Sequence, residues 1–192
     1  CRVTNLTGVS PLSAPLATTT LQLPIRCASV TCRDCQHPCE PMTPTLRPYQ
    51  QTAVDELRTA YRRGFRRPLL ALPTGGGKTY IFSYIAAGAA ARGGRVLILV
   101  HRRELLDQAS LSLASIGVDH GCIAPGHAWR PRLAVQVASV QTVVRRLDVL
   151  AQAGWAPTLI VVDECHHATA GQWSRILSHW PTARVLGVTA TP

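Results

Sequence analysis

Lysine is almost absent from this chain. Of its 20 basic residues all but one are arginine, and the single lysine, Lys78, stands inside a glycine-rich loop. A sequence that writes Arg everywhere else marks this position as one where a planar guanidinium does not serve. Carboxylates are also scarce, at 10 of 192 residues, which leaves a formal charge of +10. Such a balance rules out a chain that repels polyanions and favours a nucleic-acid partner, although a genome that writes Arg freely gives the same composition. Long apolar runs are missing as well: no stretch reaches the roughly 18 residues needed to cross a bilayer, so no membrane span is expected. Nor is there a basic segment followed by a clean apolar run, so the residues given do not support a secretory signal. No internal repeat is present, so an array architecture is not expected.

What is present is enough for one sizeable core, since hydrophobic residues make up 46% of the chain. The first 44 residues, rich in Thr, Ser, Pro and Leu and without helical or alternating periodicity, read as a flexible leader. From residue 45 the texture changes. A helix is expected over Arg47–Arg63, with Pro48 tolerated in its first turn and Gly64 at its end. Strands are expected over Pro68–Leu72, Arg95–Val100, Leu133–Ala138, Thr158–Val162 and Arg184–Val188. Helices are expected between them over Lys78–Arg92, Arg102–Ile116, Val140–Ala151 and Gln172–Trp180. Apolar strands alternating with helices imply an α/β fold, a parallel sheet covered on both faces.

The loop Pro73-Thr74-Gly75-Gly76-Gly77-Lys78-Thr79 lies between an expected strand and an expected helix. Glycines let successive backbone N–H groups turn towards one anion, and the helix N-terminus adds its positive end. In such a loop Lys78 reaches the β- and γ-phosphates of ATP and the Thr79 hydroxyl meets Mg²⁺. The full pattern has a further glycine where this chain has Leu72. The strand Leu159–Val162 then runs into Asp163 and Glu164. Carboxylates at the carboxyl end of a parallel strand face the ligand edge of the sheet, where Asp163 can hold Mg²⁺ and Glu164 can orient and deprotonate a water. The alternative reading of the acid pair is a solvated helix cap. The adjacent Cys165, His166 and His167 diverge too sharply for a closed metal site.

In order along the chain, these segments resemble superfamily 2 helicases. Leu46-Arg47-Pro48-Tyr49-Gln50 resembles the segment that recognises adenine, which implies that Arg47 and Gln50 bind the base. Residues 73–79, with Thr74, Gly75, Gly76, Gly77, Lys78 and Thr79, are similar to motif I. Residues 96–109 are similar to motif Ia and residues 137–142 to motif Ib, which implies nucleic-acid contacts at His101, Arg102, Arg103, Ser139, Gln141 and Thr142. Asp163-Glu164-Cys165-His166 resembles the DEAD/DEAH box, with Cys165 in place of Ala. Thr189-Ala190-Thr191 is similar to motif III, which implies that His166, Thr189 and Thr191 couple hydrolysis to movement. The resemblance implies a RecA-like P-loop ATPase domain over residues 45–192, the first of two, with a second RecA-like domain expected downstream of the point where this chain ends. The wording of the motifs is closer to restriction-enzyme motor subunits and DNA-repair helicases than to RNA-specific DEAD-box proteins. The implied partner is therefore nucleic acid, DNA over RNA, and the implied compartment the cytoplasm. A non-catalytic nucleotide- or nucleic-acid-binding fragment is the second reading.

Two further features carry weaker signals. Arg62, Arg63, Arg66 and Arg67 form a basic cluster that reads either as a solvated face or as a further polyanion contact. Cys27, Cys32, Cys35 and Cys39, with His37 among them, have one CxxC spacing that could hold zinc, form disulfides or mean nothing.

Overall fold

A computed structural model describes residues 2–5, 45–164 and 170–190 of the chain. The described residues form a seven-stranded sheet with helices on both faces. In chain order the elements are β1 (Arg2–Asn5), α1 (Pro48–Arg62), β2 (Pro68–Ala71), α2 (Lys78–Ala91), β3 (Val96–Val100), α3 (Arg103–Ser115), β4 (His120–Ile123), β5 (Val135–Ser139), α4 (Val140–Gln152), β6 (Leu159–Asp163), α5 (Ala170–His179) and β7 (Arg184–Thr189). The strands lie in the order β1-β2-β7-β6-β3-β5-β4. Every pairing from β2 to β4 is parallel, and β1 joins β2 antiparallel.

The alternation of side chains along the strands divides the core in two. Val96, Ile98 and Val100 of β3 pack with Ile81, Phe82 and Leu113 of α2 and α3. Their neighbours Leu97 and Leu99 pack on the opposite face with Val143, Leu147 and Leu150 of α4 and with Trp155 and Trp180. Strands buried on both sides are apolar throughout, and β3 and β6 are buried at every position. Helix α2 is rich in Ala and carries Ser83 and Gly88 among its buried residues, so it can lie close against its neighbours. The Ser83 hydroxyl donates to Ser112 Oγ of α3 at 3.0 Å.

The structure departs from the sequence expectation in two strands. Residues 2–5, expected in a leader without regular structure, pair with β2 from Arg2↔Ala71 to Asn5↔Pro68 and cover an edge that would otherwise expose unpaired amides. Strand β4 was not expected at all. It is the other edge of the sheet and pairs with β5 alone, so it needs no continuous apolar run. Beside it, Gln136 of β5 is fully buried, and its Nε2 donates to the carbonyls of Arg130 and Leu133 at 2.8 and 3.0 Å, pinning the loop between β4 and β5. No helix among the described residues is long and apolar enough to cross a membrane.

Candidate nucleotide and nucleic-acid site

The sheet order decides which loops meet. Strands β2 and β6 are separated only by β7, so the loops that follow them face each other across about 10 Å of sheet edge. Asp163 pairs with Val188, and Val188 with Leu70, which sets the acid pair level with the last residues of β2, just before the phosphate loop. Asp163 also continues the parity of Leu159 and Val161, whose side chains join the α1–α3 side of the core, so it faces the side on which α2 lies.

The phosphate loop curls as its glycines dictate. Gly75 and Gly77 have φ of 80° and 73°, a left-handed conformation that costs an L side chain about 1–2 kcal/mol. A Cβ on Gly76 would lie 2.9 Å from the Pro73 carbonyl oxygen, and one on Gly77 would collide with the Gln50 carboxamide. The loop thus offers bare backbone at three successive positions, and Gly77 opens directly into α2. Leu72 is buried in the core, and its N–H donates to the Thr189 carbonyl at 3.0 Å. The position is therefore filled by core packing where the full pattern has glycine.

At the mouth of this loop Lys78 Nζ donates to Glu164 Oε1 at 2.9 Å, with both side chains mostly buried. Asp163 is buried beside them and accepts the Glu164 N–H on Oδ1 at 3.1 Å. Burial pushes the Asp163 carboxyl above the ordinary carboxylate range and the adjacent Glu164 charge adds to the rise, while Lys78 and the Glu164 N–H pull it down. A buried acid in this condition is relieved by a cation. Glu164 itself has φ of 49°, left-handed for a residue with a side chain, in the turn that brings its carboxylate back to Lys78.

Helix α1 supplies a second wall. Gln50 is buried in its first turn, and its Oε1 accepts the Arg47 N–H at 3.0 Å, which leaves the Nε2 side of the amide against Gly77. Tyr49, largely exposed, donates its hydroxyl to the Gly76 carbonyl at 3.3 Å. Neither contact was visible in the sequence, where Tyr49 was only part of a motif. Arg47 is exposed at the helix start.

The expected nucleic-acid residues lie on the same sheet edge. Val100 pairs with Ser139, so His101 to Arg103 and Ser139 to Gln141 leave adjacent strands side by side. Arg102, Arg103 and Gln141 are exposed, whereas Ser139 and His101 are half-buried. His101 has a buried Nδ1 with no hydrogen-bond partner among the described residues. Thr142 is buried, in the first turn of α4. Thr189 is buried at the end of β7. His166, Thr191 and the residues Cys165 and His167 lie outside the described residues, as do Cys27, Cys32, Cys35, His37 and Cys39.

Comparison with known proteins places this geometry in a family. Residues 43–192 match the model of the Type III restriction enzyme res subunit. IRC3 of Saccharomyces cerevisiae, a candidate ATP-dependent helicase by its name, is 38% identical over 164 residues, covering 77% of this chain and 24% of its own. The Type I restriction enzyme EcoAI endonuclease subunit of Escherichia coli is 31% identical over 154 residues, covering 75% of this chain and 19% of its own. The chain therefore spans about a quarter or less of the length of these relatives. Among solved structures, the UvsW helicase of bacteriophage T4 superposes with a TM-score of 0.61 at 25% identity, covering 75% of this chain and 52% of its own. The Hef helicase domain of Pyrococcus furiosus superposes with a TM-score of 0.62 at 27% identity, covering 77% and 34%. The chain belongs to the family of the Type III restriction enzyme res subunit, and its matched region has the RecA-like, P-loop-bearing fold of the first domain of superfamily 2 helicases.

Proposed function

We propose that this chain binds ATP with Mg²⁺ and hydrolyses it as the first motor domain of a translocase or helicase that acts on DNA. The observation that carries the reading is the 2.9 Å contact between Lys78 and Glu164, which joins the phosphate loop and the acid pair in one cleft. The left-handed glycines and the open backbone at residues 75–77 suit a polyphosphate, and the buried Asp163 suits a cation. Thr79 and Asp163 are the residues that would hold Mg²⁺, which supplies positive charge against the phosphate oxygens. Thr74, Gly75, Gly76 and Gly77 would turn N–H groups to the phosphates, and Lys78 would exchange Glu164 for a phosphate oxygen.

Once released, Glu164 is the base for an attacking water, its proton passing to the carboxylate. Gln50, with its oxygen already engaged by Arg47, would offer the base its N–H donors, and Arg47 its guanidinium. Arg102 and Arg103 would grip the phosphodiester backbone, with His101, Ser139 and Gln141 beside them. His166, Thr189 and Thr191 are the groups we assign to coupling. The tie between Leu72 and Thr189 supports Thr189 in that role. Restriction-enzyme relatives favour DNA over RNA, and the cytoplasm is the compartment we assign.

Efficient turnover requires charge from a second RecA-like domain, because an arginine supplied in trans accelerates related P-loop enzymes by about 10³–10⁵. The test compares the wild type with Lys78→Ala in nucleotide titrations, with and without single-stranded DNA and RNA. Loss of ATP binding in the variant supports the assignment, and equal binding by both proteins removes Lys78 from its role. Strong nucleic-acid-stimulated turnover by this chain alone would remove the requirement for a second domain.

A further inference from the structure

The sheet edge opposite the phosphate loop holds a second concave feature. Helices α1 and α2 and the starts of β6 and β7 line a cleft of about 500 Å³ there. Leu57 of α1 and Tyr84, Ile85 and Ala89 of α2 give it an apolar lining. Arg58, Arg62, Arg92 and Arg184 stand around it. Asp55 meets Arg58 at 2.8 Å, and Arg62, Arg92 and Arg184 have no carboxylate partner among the described residues. Arg63, Arg66, Arg67 and Arg95 are exposed on the same edge, at the end of α1 and before β2 and β3.

Arginine at a helix C-terminus is favoured by the helix dipole, which accounts for Arg62 and Arg92 singly. It does not account for Arg184, which begins a strand and lies 5.5 Å over the Tyr61 ring. Nor does it explain the apolar lining between the arginines. A phosphodiester backbone would satisfy the charged rim and leave that lining against water. A segment with apolar anchors flanked by carboxylates satisfies both, in the manner of a helix laid in a groove.

We propose that the cleft between α1 and α2 is a docking site for an acidic, amphipathic segment of a protein partner, with its apolar anchor on Tyr84, Ile85 and Ala89 over the buried Leu57 and its carboxylates on Arg62, Arg92 and Arg184. The site lies at the opposite ends of the strands from the nucleotide loop, so a partner held there leaves that loop open.

The test uses the full chain and fluorescence anisotropy with three probes: a random Glu/Tyr copolymer, poly-Glu of matched length, and a 20-nucleotide oligo-dT. The copolymer should bind at least tenfold more tightly than poly-Glu, because only it can fill the apolar lining. Arg62→Glu with Arg92→Glu, both exposed positions, should weaken copolymer binding tenfold or more and leave ATP binding unchanged. Ile85→Glu should remove the advantage of the copolymer over poly-Glu. Equal binding of the two polymers, or no response to the arginine reversals, overturns the proposal. A parallel tenfold loss of oligo-dT binding also overturns it and assigns the edge to nucleic acid.

Discussion

Replacing Glu164 with Gln tests whether the ion pair at the mouth of the phosphate loop competes with nucleotide. At 2.9 Å and an effective dielectric constant of about 20, the Lys78–Glu164 attraction is about 6 kcal/mol before solvation. Desolvation of two mostly buried charges offsets most of that, leaving the ~1.5–3 kcal/mol of a hydrogen bond to a charged group. Gln keeps the shape and a hydrogen bond from the ammonium, now to an uncharged acceptor and at the low end of that range, so Lys78 is freed by a difference of about 1 kcal/mol. That corresponds to roughly fivefold tighter ATP binding, since 1.4 kcal/mol is tenfold. Hydrolysis should fall in the same variant by about 10²–10⁴, the usual contribution of a general base. The assay is titration of a fluorescent ATP analogue without metal, beside single-turnover hydrolysis with it. Removing any negative charge near the phosphates helps binding, so Asp163→Asn, which leaves the Lys78–Glu164 hydrogen bond in place, is the control under the same metal-free conditions. The reasoning fails if Glu164→Gln binds no more tightly than the wild type, or gains no more than Asp163→Asn.

Three other outcomes follow from the geometry. The raised pKa of Asp163 means that its ionised form destabilises the ligand-free fold at neutral pH. Asp163→Asn should therefore raise Tm by about 2–4 °C per kcal/mol of relief at pH 7. That gain appears as pH rises past the unfolded carboxylate value of 3.8 and fades as pH falls below it, which thermal melts across pH 3–8 would show. Gly77→Ala places a Cβ in a left-handed position against Gln50, and should abolish nucleotide binding with a loss of about 1–3 kcal/mol in denaturant unfolding. Arg102→Ala with Arg103→Ala should weaken single-strand binding equally for all base compositions and lower its salt slope by about 1–2, read from titrations at several ionic strengths.

The sequence carried the repeating strand–helix order because β3 and β6 must be apolar on both faces, which makes Val96–Val100 and Leu159–Val162 unmistakable runs. The phosphate loop was legible for a local reason: a backbone that turns its amides inward demands glycine at Gly75 and Gly77. Edge strands escape that logic. His120–Ile123 contains a polar residue and a glycine because β4 has a neighbour on one side only, and Arg2–Asn5 is four residues long. Contacts made by the sheet order were beyond reach as well. Gln50 against Gly77 depends on how α1 packs, and the gathering of Arg62, Arg92 and Arg184 around one cleft depends on β7 lying beside β2. The same holds for Thr142, whose motif position says nothing of its burial in the first turn of α4.

The hydrogen bond from Leu72 to the end of β7 gives the nucleotide loop a mechanical neighbour. The acid pair is rooted in β6, held by ladders on both flanks, and has little freedom to travel. The glycine loop runs on beyond β2, and the bond from Leu72 to Thr189 ties its root to β7, while the Tyr49 hydroxyl meets it again at Gly76. That bond makes the tip of β7, the strand between the two halves of the site, an immediate backbone neighbour of the loop's root.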